Sequence, residues 1–234
     1  MTIHRDNDFL VDTDLAGRLS VGIESGRIEE CVAEFAARGA SGVFGAPCFG
    51  FTGDDLDFLH LIPDLEKIWF WDVSLRDVAG VYALTNLRHF GVHPRRPAID
   101  FNRLRSLEEM VWHYTAKDTN LDALKALQLL HVWHFNPKQR SFEGLALPSH
   151  LTELQINWAN PRSLEGLPEL PALKRLEIHR CRNLESISEL ARIAPNVEHL
   201  VVSACGRVSD GPEVVKHLPH LRHAFVCDQV LVCA

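Results

Sequence analysis

Positive charge is in short supply: 24 Lys and Arg stand against 31 Asp and Glu, for a formal net charge of -7. A protein that grips a phosphate backbone gains affinity by neutralising phosphates and releasing counterions. That surface is missing, so nucleic acid is not an expected partner. The chain also lacks any run of about 18 apolar residues able to span a bilayer. Its opening stretch, MTIHRDNDFLVDTD, is acidic and polar where a secretory leader is basic and then apolar. The expectation is a cytoplasmic protein with no membrane partner. Its six cysteines, Cys31, Cys48, Cys181, Cys205, Cys227 and Cys233, include no C-x-x-C pair and no compact spacing, which reads as reduced thiols rather than a disulfide framework.

Signatures of catalysis are absent as well. There is no H-E-x-x-H, no Cys/His pair at zinc spacing, no G-x-S-x-G elbow, no G-x-x-x-x-G-K-[ST] loop and no G-x-G-x-x-G after a strand. The stretch GASGVFGAPCFGFTG (39–53) has the glycines of a phosphate loop but no Lys, and Pro47 removes a backbone donor. Thirteen histidines raise the question of a metal. A metal centre wants three or four convergent ligands, which an open strand face does not supply. No catalytic residue, metal ligand or cofactor is therefore assigned, and the protein is not expected to be an enzyme.

What the sequence does have is 46% hydrophobic residues, enough for a core, and a period. Segments such as LPALKRLEI, LPSHLTELQI and APNVEHLVV recur with apolar-x-x-apolar-x-apolar at their centre. Anchoring each on its first core position gives Leu65, Leu87, Leu107, Leu130, Leu151, Leu173, Val197 and Leu221, spaced by 22, 20, 23, 21, 22, 24 and 24 residues. The last core positions alternate, which marks a short strand with one face buried. At the unit anchored on Leu130, QLLHVWHF admits Leu129 as well. Leu130 is preferred because it lies three residues after Leu127, as Leu107 does after Leu104, and because it buries Trp133 and Phe135.

These residues resemble the leucine-rich-repeat family over roughly 63–227. The resemblance implies an α/β fold: a right-handed β-α solenoid with a parallel concave sheet. Cys181 and Cys205 fall where the family has Asn or Cys turned inward onto loop backbone, whereas Val73, Arg95 and Thr115 depart from that pattern. Residues 1–40 read as an N-terminal cap, with a hairpin over 9–23 and a helix over 27–39 begun by Ser25 and ended by Gly39. Residues 41–227 read as about eight to nine repeats, with a degenerate first strand in 41–49. Short helices are expected over 183–193 and 208–218, and residues 228–234 read as an edge strand or cap.

Stacked parallel strands turn equivalent residues into columns. The expected binding face carries Trp69, His89, Glu109, His134, Gln155, Arg175 and Glu177, with Trp71, His93, His113, Asn136, Asn157 and His179 as a third column. Large aromatics are enriched among interface hot spots, so Trp69 and Trp71 stand out, unless the N-terminal cap covers one of them. The reading is a monomeric module that binds another protein, with an inhibitor or immunity protein as its specific form. The alternatives are a metal- or small-ligand enzyme using the concave His, Asn and Glu, and a structural subunit joining copies through its C-terminal edge.

The charge is also uneven: residues 1–80 hold 15 acidic and 6 basic side chains, and the rest hold 16 and 18. In an inhibitor, that acidic end would meet a basic surface and speed association.

Overall fold

A computed structural model describes residues 2–227 and 229–233. Thirteen strands follow one another in chain order in one sheet. The chain divides into two compact units, Met1–Met110 and Val111–Ala234.

In the first unit, β1 (His4–Asp6), β2 (Phe9–Thr13) and β3 (Leu19–Gly22) pair antiparallel. The sequence reading had no strand at β1. The eleven-residue helix α1 (Ile28–Arg38) follows, and Gly39 ends it at φ 59°, its amide donating to the Ala36 carbonyl. Ser25 does not start this helix. Arg27 holds the N-cap position without a side-chain bond, because Gly26 and Arg27 separate Ser25 from the first turn. The Ser25 hydroxyl instead accepts from the Thr52 and Gly53 amides, at 2.8 and 3.0 Å. From β3 onward the pairing is parallel, through β4 (Gly42–Gly45), β5 (Lys67–Ser74) and β6 (His89–Arg95).

β7 (Glu109–His113) comes next in the order. In the second unit, β8 (Leu129–Trp133), β9 (Glu153–Asn157), β10 (Arg175–His179), β11 (His199–Ser203) and β12 (His223–Val226) are parallel, and β13 (Gln229–Cys233) turns back antiparallel on β12. Every repeat but the last buries its anchor and the residues three and five positions later; in the last, Leu221 is only half-buried while Ala224 and Val226 are in the core. Leu151, Leu154 and Ile156, Leu173, Leu176 and Ile178, and Val197, Leu200 and Val202 are all at most 1% exposed. Each such side chain contributes about 1.5–3 kcal/mol. Parallel strands recurring every 20 to 24 residues on this apolar pattern are a leucine-rich-repeat fold.

The register of the fifth repeat corrects the sequence reading. Leu129 pairs with Glu153 and Leu130 with Leu154, so the anchor is Leu127, buried like Leu130 and Val132. Three apolar side chains at the right interval outcompete a register that would set Val132 on the open face. The returning segments differ from expectation as well. Within 183–193 only α2 (Leu190–Ile193) is helical, because the Ile187 amide is taken by the Asp210 carboxylate at 3.1 Å. Within 208–218 the helix α3 is Gly211–Val215.

Candidate functional site

In a strand with one face in the core, the residues two, four and six after the anchor point away from it. In the first unit, Lys67, His89 and Glu109 stand at the first of these positions, and the β2–β3 turn reaches over them. Asp14 accepts from Arg18 Nε at 2.8 Å and lies 3.4 Å from Lys67 Nζ. Arg18 donates in turn to His89 Nε2, and His89 Nδ1 lies 2.9 Å from Glu109. A guanidinium has no lone pair to offer, so His89 must accept at Nε2 and carry its proton at Nδ1, facing Glu109. His89 is only 7% exposed. It belongs to this charged chain beneath the turn rather than to an open surface.

Burial pushes the Asp14 carboxyl up, but the Arg18 backbone and guanidinium bonds and the nearby Lys67 outweigh it and hold the pKa at about 2, below its ordinary 3.8. A depressed carboxylate pKa stabilises the fold above the unfolded value and loses that contribution as pH falls through the folded one. Asp14→Asn is therefore expected to cost about 1 kcal/mol near neutral pH. Urea titrations of both proteins should show the gap closing between pH 3.8 and about 2. A gap independent of pH would rule out the charge as its source.

Trp69 and Trp71 occupy their expected places on β5, each half-buried. Trp71 stacks on Phe44 at 6.2 Å and meets Phe49 edge-on at 5.6 Å. Part of the cover on Trp71 thus comes from β4 and the turn after it. Trp69 lies over Gly91, where an added Cβ would sit 3.0 Å from the indole. His93 is half-buried on β6.

The second unit holds a continuous row that the sequence reading only partly anticipated. With Leu127 as anchor, Trp133 rather than Asn136 takes the third column, and His134 and Trp158 fall just past their strands at φ 57° and 49°. Asn136 is exposed in the following loop. His113 stacks on Trp133 at 5.8 Å and 18°. Trp133 packs on Trp158 at 5.0 Å, and His134 stacks on Trp158 at 5.7 Å. The Arg180 guanidinium lies 5.0 Å from the centre of the Trp158 ring. Trp158 and Arg180 were not among the expected site residues. Their signal was the shared place seven residues after the anchors Leu151 and Leu173.

Around this row, Gln155 donates to Asn157 Oδ1 at 3.1 Å. Asn157 is 3% exposed, and among the described residues its Nδ2, like Trp133 Nε1, is buried with no acceptor. Arg175 donates to Glu177 at 2.9 Å, and His179 sits between Glu177 at 3.0 Å and Ser203 at 2.7 Å. Burial works against the Glu177 anion, but His179 and Arg175 hold its carboxyl below the usual range.

Among the described residues, no group of three or more His, Cys, Asp or Glu is placed to hold a metal ion, and no helix is long and apolar enough to cross a membrane. Cys181 and Cys205 are buried and point at the carbonyls of Ile156 and Ile178, at 3.9 and 3.7 Å. The bond to Cys205 and burial push the Cys181 thiol up, which suits a structural role rather than a nucleophile.

No protein-family profile matches the chain, and no curated protein does. Among solved structures, the chain is similar to an internalin, InlF, from Listeria monocytogenes, at 13% identity and TM-score 0.48, over 88% of this chain and 71% of that one. It is also similar to the functional domain of InlJ from Listeria monocytogenes, which includes a cysteine ladder, at 13% identity and TM-score 0.45, over 76% of this chain and 43% of that one.

Proposed function

We propose that the chain is a non-enzymatic protein-binding module, acting in the cytoplasm as a monomer, and that the open sheet face of its second unit carries the main binding site. The observation behind this is the row His113, Trp133, His134, Trp158 and Arg180, half-buried or exposed, on rigid strands and the turns that leave them. Parallel strands fix these side chains before any partner arrives, which lowers the ordering cost of association. Trp and Arg are the residues most often found to dominate interface energies. Within this class, occlusion of a partner, as by an inhibitor or immunity protein, is the form we favour, since the described residues hold repeat and flanking elements and no catalytic constellation.

The test is a tagged pull-down from native lysate, with the captured protein identified, purified and titrated. Trp133→Ala/Trp158→Ala should weaken its binding by about 30-fold or more. Trp69→Ala/Trp71→Ala asks the same of the first unit. A partner bound equally by wild type and both double variants would exclude the sheet face as its site.

A further inference from the structure

Beside the aromatic row, the turns leaving β8, β9 and β10 carry five cations: Lys138, Arg140, Arg162, Arg180 and Arg182. All five are exposed. None of them is in an ion pair among the described residues, whereas neighbours such as Arg175 and Arg207 do face carboxylates. The backbone gathers them. The Arg162 amide donates to the Arg140 carbonyl at 3.1 Å, and the Glu185 amide to the Arg162 carbonyl at 2.7 Å, which brings the turn holding Arg180 and Arg182 alongside. A group of like charges left uncompensated in an otherwise acidic protein costs self-repulsion, and a ligand of opposite charge removes that cost.

Resting on the module reading above, we propose that this unit recognises an acidic segment of a partner protein, with carboxylates held by Arg162, Arg180 and Arg182 and the aromatic row as its rigid wall. The stacking within the row favours this over a nucleic acid. A base needs an open ring face to stack on. Trp158 has His134 on one side and Arg180 against its ring, and Trp133 is packed against both His113 and Trp158. With ring faces engaged in this way, the edges are what remains for a ligand, and they carry the positive end of the aromatic quadrupole. Edges and guanidiniums both seek negative oxygen. Arginine suits the task because its planar fork meets a carboxylate with two parallel bonds.

The experiment is fluorescence anisotropy on the full chain with labelled octaglutamate, octalysine and oligothymidylate of equal length. Octaglutamate should bind, weaken as salt rises and lose about tenfold or more in affinity in Arg162→Gln/Arg180→Gln/Arg182→Gln. Octalysine should not bind this unit, and the triple variant should keep the wild-type unfolding midpoint. The inference is overturned if octaglutamate fails to bind at low salt, if the triple variant binds it unchanged, or if oligothymidylate binds more tightly than octaglutamate. The two readings separate cleanly. A captured partner lost with Trp133→Ala/Trp158→Ala but kept by the triple Gln variant leaves the module and removes its acidic ligand. A partner kept by both removes the module's site itself.

Discussion

Gly80→Ala is expected to lower stability by about 3 kcal/mol or more, although Gly80 lies in no strand and near no site residue. It sits in the 3₁₀ turn Ala79–Ala83, which packs on the turn Asp57–Leu61 of the preceding repeat. A Cβ on Gly80 would stand 2.0 Å from the Leu56 carbonyl oxygen and 2.7 Å from its carbon. A side chain in that position could rotate aside, but backbone cannot. The two turns would have to separate by more than 1 Å, loosening Leu59, Val78 and Val81, all at most 4% exposed. Gly26→Ala is the control, since nothing lies within 4 Å of the added carbon. Urea unfolding should show a large drop in midpoint for the first and almost none for the second. Equal midpoints would mean that the turns slide apart without cost, and that the first unit does not depend on their contact.

Nothing in the local sequence around Gly80 announces that contact, and the reason is general to this fold. A repeat pattern in a sequence records what faces the core, because burial imposes a period. Leu65, Leu87, Leu107, Leu151, Leu173 and Val197 were all legible and are all buried. How neighbouring coils touch on the returning side is set by backbone approach between residues more than 20 apart, and no period encodes it. The same limit explains the shortened helix at 190–193. Its apolar spacing was readable, but the carboxylate of Asp210, one repeat away, captures the Ile187 amide.

The candidate site was legible in part for a related reason. Columns at two, four and six residues after each anchor follow from the strand period, and they found Trp69, Trp71, Gln155, Glu177 and His179 on the sheet. The seventh position lies past the strand, where the chain turns through positive φ at His134, Trp158 and Arg180. Strand alternation does not extend there, so Trp158 and Arg180 escaped notice, and so did the sandwich they form. Such a φ is uncommon for residues other than glycine, and is an outlier for a side chain as bulky as Trp. It recurs at the same place in Ala204, so it is a backbone feature of these repeats, and it sets His134, Trp158 and Arg180 at one level.

The fifth repeat offers the sharpest test of the fold itself, because two leucines two residues apart have opposite expected costs. Leu127→Ala is expected to cost about 2–5 kcal/mol, since the side chain is fully buried and its loss leaves a cavity among neighbouring core leucines. Leu129→Ala is expected to cost less than about 1 kcal/mol, because Leu129 is only half-buried and pairs with exposed Glu153 on the open face. Were the strand anchored on Leu129 instead, those costs would exchange, although a shift of two residues would leave the same strand face in the core. Trp133 is tied to the choice between Leu127 and Leu130, three residues apart and so on opposite faces of the strand. Anchored on Leu127, it stands on the open face beside Asn157, its donor unmet. Anchored on Leu130, it would lie in the core, and the aromatic row would lose its centre. A pair of urea titrations on these two variants therefore checks the anchor of this strand: Leu127→Ala tolerated and Leu129→Ala severe would overturn it.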